Sequence, residues 1–207
     1  MTNIAKFGFK TLVATALLSS VAQANFLDNT YVGVEGAILS TNIDASDGWR
    51  TDDPSDVIGE LSLKFGKDFD IYRVWTGYSY KMESSDKSGV NDSNYNNNEI
   101  KFQSHNIILG AGYTPSINDS FKALIGAYAG VAITKGESID TANDGSTEKE
   151  GDTKTGGIFG LKLGGIYAIN DSNEIEFGLK SDYTSTGLEG YKNRMDYGAY
   201  LGYNYKF

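Results

Sequence analysis

The 207-residue chain has no cysteine and only two prolines. Without cysteine there is no disulfide scaffold, no thiolate metal site and no thiol nucleophile. Basic residues are outnumbered, 18 against 27 acidic, and the net charge of −9 argues against nucleic acid as a partner. No run of 18 apolar residues exists, so the sequence offers no transmembrane helix. Glycine and aromatic residues, by contrast, are plentiful. There are 25 glycines, well above the usual share of about 7%, and 13% of residues are aromatic. The glycines lack a Gly-X-Y period, which excludes collagen. The aromatic content with so little proline excludes a disordered chain.

The first 24 residues read as an address. Residues 1–10 carry Lys6 and Lys10 and no acid, and residues 11–21 are a short apolar run. Ala22-Gln23-Ala24 then puts small residues at Ala22 and Ala24, the two positions a signal peptidase reads. The apolar run is too short to cross a bilayer as a helix. Cleavage after Ala24 leaves residues 25–207 as one domain of 183 residues with net charge −11, working outside the cytoplasm.

Beyond the address the hydrophobic period is two. In residues 57–65, Val57, Gly59, Leu61, Leu63 and Phe65 oppose Ile58, Glu60, Ser62 and Lys64. Residues 174–183 and 195–207 repeat the pattern, and residues 30–40, 71–81, 99–113, 121–135 and 155–169 follow it less cleanly. In 99–113, Lys101, Gln103 and His105 share a face with Ile107, Leu109 and Tyr113. Either a bulge switches the faces there or the upper half stands clear of lipid. Long or polar links (41–56, 82–98, 136–154, 185–192) alternate with short turns (66–70, 114–120, 170–173). The reading is all-β: an eight-stranded antiparallel up-and-down meander whose edges are hidden by closure into a barrel.

Alternation alone leaves open which face is wet. Three features favour a transmembrane β-barrel over a soluble one. Glycines (Gly178, Gly198, Gly202) sit on the charged face, where an eight-stranded bore needs room. Aromatics stand near strand ends on the bulky face, as at lipid–water boundaries: Tyr72, Tyr80, Phe121, Tyr167, Tyr183, Tyr205 and Phe207. The chain also closes on alternating aromatics, Tyr203-Asn204-Tyr205-Lys206-Phe207. With these features the sequence resembles the small Gram-negative outer-membrane barrels of the OmpA/OmpX/opacity type, as a barrel domain without a following peptidoglycan-binding domain. The resemblance implies an integral outer-membrane location, periplasmic termini and long extracellular loops. It implies assembly by periplasmic chaperones and the barrel assembly machinery, with Tyr203, Tyr205 and Phe207 as the assembly signal. Outer-membrane lipid and lipopolysaccharide are the implied surroundings, and an extracellular ligand or host surface a candidate partner.

Thirteen charged residues point inward: Glu35, Glu60, Lys64, Arg73, Lys122, Lys162, Glu174, Glu176, Lys180, Asp182, Arg194, Asp196 and Lys206. Six acids against seven bases in a narrow barrel suggest a salt-bridged plug, because buried charges must pair. A small or gated porin-like channel is the alternative. The acidic links form four extracellular loops. Residues 140–152 faintly match a calcium loop around Asp144-Gly145, but Ala142 occupies a ligand position and no Glu stands at the twelfth place. An outer-membrane lipid-modifying enzyme is a second alternative, and needs a histidine with Ser, Asp or Glu on its face. The single histidine, His105, has Gln103 and Ile107 there instead. Gly110-Ala111-Gly112 lies inside a strand and leads to no helix, so no phosphate loop is read and no cofactor or metal is expected.

Overall fold

The computed structural model describes residues 28–45, 55–88, 95–188 and 191–207. The leader with Ala22 and Ala24, most of the first loop (Asp47, Arg50, Asp52, Asp53) and the tip at 91–94 lie outside the described residues. The strands are β1 (Thr30–Ala45), β2 (Ser55–Phe69), β3 (Tyr72–Ser88), β4 (Tyr95–Tyr113), β5 (Ser116–Asn118), β6 (Phe121–Ala142), β7 (Thr147–Asn170), β8 (Asn173–Leu188) and β9 (Tyr191–Lys206). Eight long strands pair antiparallel with their chain neighbours. The sheet closes through β1 against β9 and β4 against β6, with the three-residue β5 riding on β6 in the short connection. Closure gives each long strand two hydrogen-bonded neighbours, which a membrane-spanning sheet requires.

All eight expected segments are strands, but they run longer than the alternation suggested. Residues 136–142 and 147–154, read as loop, are the upper halves of β6 and β7, paired from Thr134↔Lys154 to Thr141↔Thr147. They form a hairpin that projects from the barrel. Its tip is a turn, not a calcium loop: Gly145 has φ 85, its N–H donates to the Ala142 carbonyl at 3.0 Å, and Asp144 Oδ1 accepts the Ser146 N–H at 2.9 Å. The Ser146 hydroxyl and amide hold the Asp144 carboxyl below the usual carboxylate range. At the opposite end the connections are tight. Asp70 takes φ 59 between β2 and β3, and Asn170 Oδ1 accepts the Ser172 N–H at 3.0 Å between β7 and β8.

The sidedness is inverted relative to a water-soluble protein. Among the described residues, 33 large hydrophobic side chains are exposed while 26 polar or charged residues are buried. An apolar surface of that extent needs a lipid partner. The exposed face of β7 stays free of charge from Phe159 to Tyr167. Those eight steps of about 3.4 Å, tilted by about 40°, climb roughly 20 Å, near the ~25 Å of an outer-membrane apolar band. From Asn98 to Tyr113 strand β4 keeps its faces: Asn98, Ile100, Phe102, Ser104, Asn106 and Ile108 are buried, and His105, Ile107, Leu109 and Tyr113 are exposed. The bulge sits next door, on β3, between Lys81 and Ser84. Polar Lys101 and Gln103 therefore face outward, above the apolar band. Gly164 and Gly178 lie directly opposite each other on β7 and β8. A methyl at either would collide with the neighbouring strand's carbonyl, Phe177 or Leu163.

Candidate functional site: the charged bore

Period-two strands send every second side chain into the bore, and the register stacks those side chains into levels. Near the end that carries the termini, Arg73 of β3 is register-paired with Asp68 of β2. Its guanidinium holds that carboxylate at two points, 2.5 and 2.9 Å, and reaches Glu174 of β8 at 2.6 Å. Arg73 also stands 4.3 Å over the Tyr31 ring. Lys206 joins this level at 3.3 Å from Glu174.

The middle level begins with a conflict. Lys162 and Lys180 are direct cross-strand partners on β7 and β8, a repulsive arrangement if left alone. Glu35 and Glu60 from β1 and β2, with Glu176 of β8 itself, supply the counter-charge. Glu35 of β1 pairs with Lys162, with Lys64 at 3.0 Å and with Lys180 at 3.7 Å. Glu60 of β2 accepts from Lys180 at 2.6 Å, and Glu176 of β8 takes Lys64 at 3.0 Å and Lys162 at 3.4 Å. The Tyr200 ring lies 4.3 Å from the Lys162 ammonium and gives it an aromatic face.

The upper level repeats the logic with the signs exchanged. Asp182 and Asp196 face each other on β8 and β9. Lys81 crosses from β3 to bridge them, at 2.9 and 2.5 Å, and Arg194 Nε donates to Asp196 at 2.8 Å. Above this, Ile43, Ile100, Phe102 and Leu188 form a buried apolar cluster.

Of the thirteen residues read as inward, twelve take part in these ion pairs. Lys122 does not. It stands at the rim of the termini end, where its Nζ donates to the Asp70 carbonyl at 3.3 Å. Two members escaped the sequence reading. Asp68 had been assigned to a turn, but β2 runs on to Phe69 and buries it. Lys81 lay on the polar face of its strand and its burial was the missing signal. With these changes the bore holds seven carboxylates and seven cations, in ion pairs of 3.8 Å or less.

The terminal aromatics face outward. Tyr205 and Phe207 meet edge to face at 5.3 Å, the Phe207 N–H donates to the Thr30 carbonyl at 3.0 Å, and the Tyr203 hydroxyl donates to Asn173. His105 also faces outward, its Nδ1 2.6 Å from the Tyr78 hydroxyl and its ring 5.0 Å from that of Tyr80. No group of three or more metal-ligating side chains occurs among the described residues.

The family model for the outer membrane protein beta-barrel domain matches residues 11–207. Neisserial surface protein A is similar in fold, at 16% identity over 87% of this chain and 98% of that one, with a TM-score of 0.53. The attachment invasion locus protein Ail of Yersinia pestis is similar at 14% identity over 86% of this chain and 99% of that one, with a TM-score of 0.50. No curated protein matches the chain. The chain belongs to the outer membrane protein beta-barrel domain family and is an integral protein of the outer membrane.

Proposed function

We propose that this barrel is a closed, rigid anchor that holds a projecting wall of β4, β6 and β7 at the cell surface for contact with an extracellular partner. The observation that carries the reading is the filled bore: three levels of paired charge, topped by apolar side chains. A path for hydrated ions would have to break several buried pairs, each break leaving an uncompensated charge. Above the apolar band β7 continues from Ile158 to Thr147, eleven steps or about 37 Å of strand. Such a platform suits display better than conduction. In the same reading residues 1–24 are removed as a signal peptide, and the termini lie in the periplasm. Tyr203, Tyr205 and Phe207 serve the assembly machinery in addition to facing lipid. A catalytic role would centre on His105, whose neighbours are tyrosines rather than an acid or a serine.

Purified protein in planar bilayers tests the anchor reading. No steady single-channel steps are expected from the wild type. Reproducible, ion-selective steps abolished by Lys162→Met would transfer the assignment to a small channel. A cysteine placed at Asn143, in the hairpin tip, reports the orientation. Labelling by an impermeant maleimide on intact cells supports it, and labelling only after the outer membrane is breached overturns it.

A further inference from the structure

Arg194 of β9 is 1% exposed, and of its guanidinium only Nε is engaged, on Asp196 Oδ1 at 2.8 Å. Asp196 is itself shared, since Lys81 holds its other oxygen at 2.5 Å. Nη1 and Nη2, the forked end of the guanidinium, meet no acceptor among the described residues. Their N–H donors are therefore buried without partners, although buried polar groups are as a rule hydrogen-bonded. Arg73, the other described arginine, shows the contrast: it grips Asp68 at two points and reaches Glu174 as well.

The register shows what shares this level of the bore. Thr184 of β8 is paired directly with Arg194. From the far wall, Lys81 of β3, Ser104 of β4 and Thr134 of β6 form one register line, and Lys81 is the residue whose ammonium reaches Asp196. Ser104, Thr134 and Thr184 are all buried, and Thr134 Oγ1 is a second polar atom without a hydrogen-bond partner. Beside Thr134 the inward positions of β6 and β7 are Ala132 and Gly156, a direct cross-strand pair with almost no side chain. Bulkier residues bracket the level. Ile43, Ile100, Phe102 and Leu188 close the bore above it, and Tyr128 and Ile158 belong to an apolar cluster below. Spare donors among small side chains, with apolar neighbours on both sides, make a place where each added hydrogen bond is strong.

We infer that this level of the bore binds one small monovalent oxyanion, of the nitrate or short-carboxylate class, with Arg194 Nη1 and Nη2 donating to two of its oxygens and the Thr134 hydroxyl donating from across the bore. The guanidinium fork matches two coplanar oxygens held by parallel charge-assisted bonds, which a single water oxygen cannot offer. Charge and size set the class. Lys81 and Arg194 already balance Asp182 and Asp196, so a divalent anion would bring more charge under the apolar lid than one fork can solvate. The ligand sits inside the plug, below the lid, and opens no path for ions.

NMR of the full-length mature barrel, isotope-labelled at arginine and threonine, tests the site. The protein is refolded into neutral detergent micelles at a series of formate concentrations, so that entry past the lid is not a variable. Gluconate at equal concentration is the control, a carboxylate too large for the level. With formate, a saturable shift of the Arg194 guanidinium signals is expected, together with a nuclear Overhauser contact from the formate proton to the Thr134 methyl. Neither is expected with gluconate. Thr134→Val keeps the shape and removes the hydroxyl, and should weaken formate binding about fivefold, the loss of one hydrogen bond. Arg194→Lys keeps the charge and removes the fork, and should weaken it about tenfold or more. Retained heat-modifiable mobility on electrophoresis shows that each variant folds, and Thr134→Val decides alone should Arg194→Lys not fold. Contacts to the Thr134 methyl from water but none from formate, a response that does not saturate, an equal response to gluconate, or unchanged affinity in folded Thr134→Val each overturns the proposal.

Discussion

Glutamate 35 is the place where the plug is most exposed to test. Its carboxylate pairs with Lys162, Lys64 and Lys180, and it is 2% exposed. Replacing it by glutamine keeps the shape and removes the charge, leaving seven cations facing six carboxylates. Breaking a buried pair from one side costs about 3–5 kcal/mol, mostly as the penalty on the cation left behind. With a urea slope of about 2 kcal/mol/M, the unfolding midpoint should fall by roughly 2 M. Trp75 is a built-in reporter: it is buried in the bore with the Lys162 ammonium 5.9 Å from its ring. A Trp49→Phe background makes it the only tryptophan, since the chain has two. Unfolding from lipid vesicles is followed by its fluorescence. Removing the opposing charge as well, in Glu35→Gln/Lys162→Met, restores neutrality and should recover a large part of the loss. A Glu35→Gln protein within about 0.5 kcal/mol of wild type would refute the reasoning, as would a double variant showing only the sum of two single losses.

Other outcomes follow from the same geometry. Leu163→Arg, on the apolar band, should cost about 2–4 kcal/mol in vesicle unfolding, whereas Asn42→Arg, above the band, should cost close to nothing. Lys87→Ala, which breaks an exposed pair with Glu99 of 3.2 Å, should shift stability by less than about 1 kcal/mol. Gly178→Ala should lower the refolding yield sharply, because its methyl meets the Leu163 carbonyl; a normal yield would mean that the wall can relax there. Asp144→Ala should raise amide exchange at Ser146 and leave global unfolding unchanged, since the Asp144 bonds serve only the hairpin tip.

Much of this barrel was legible before any coordinates. Residues 57–65 show why: Leu61 and Leu63 against Glu60 and Lys64 leave one face for lipid and one for the bore, and a one-residue slip would exchange them. The short turns were legible through Asn170 and Asp70, whose side chains and backbone tolerance suit tight reversals. Strand ends were not. Above the apolar band both faces of β6 and β7 meet water, so residues 136–142 and 147–154 lose their alternation and read as loop although the ladder continues. The interior aromatics Tyr31 and Trp75 were missed for a related reason: on composition they belong outside, and only the register sets them beside Arg73 and Lys162. Asp68 and Lys81 were lost at the ends of segments drawn too short. Ion-pair partners could not be read at all, because Glu35 meets Lys162 across the bore, 127 residues away in sequence.

The absence of cysteine allows a direct test of sidedness. Single cysteines at 177, 179, 180, 182 and 183 on β8, each carrying a fluorophore in reconstituted vesicles, are compared for quenching by lipid-dissolved and water-dissolved agents. Labels at Phe177, Leu179 and Tyr183 should be quenched from the lipid alone, and those at Lys180 and Asp182 should be shielded from it. Uniform quenching along the strand, or lipid quenching at Lys180 instead of Leu179, would contradict an apolar exterior wrapped around a charged bore.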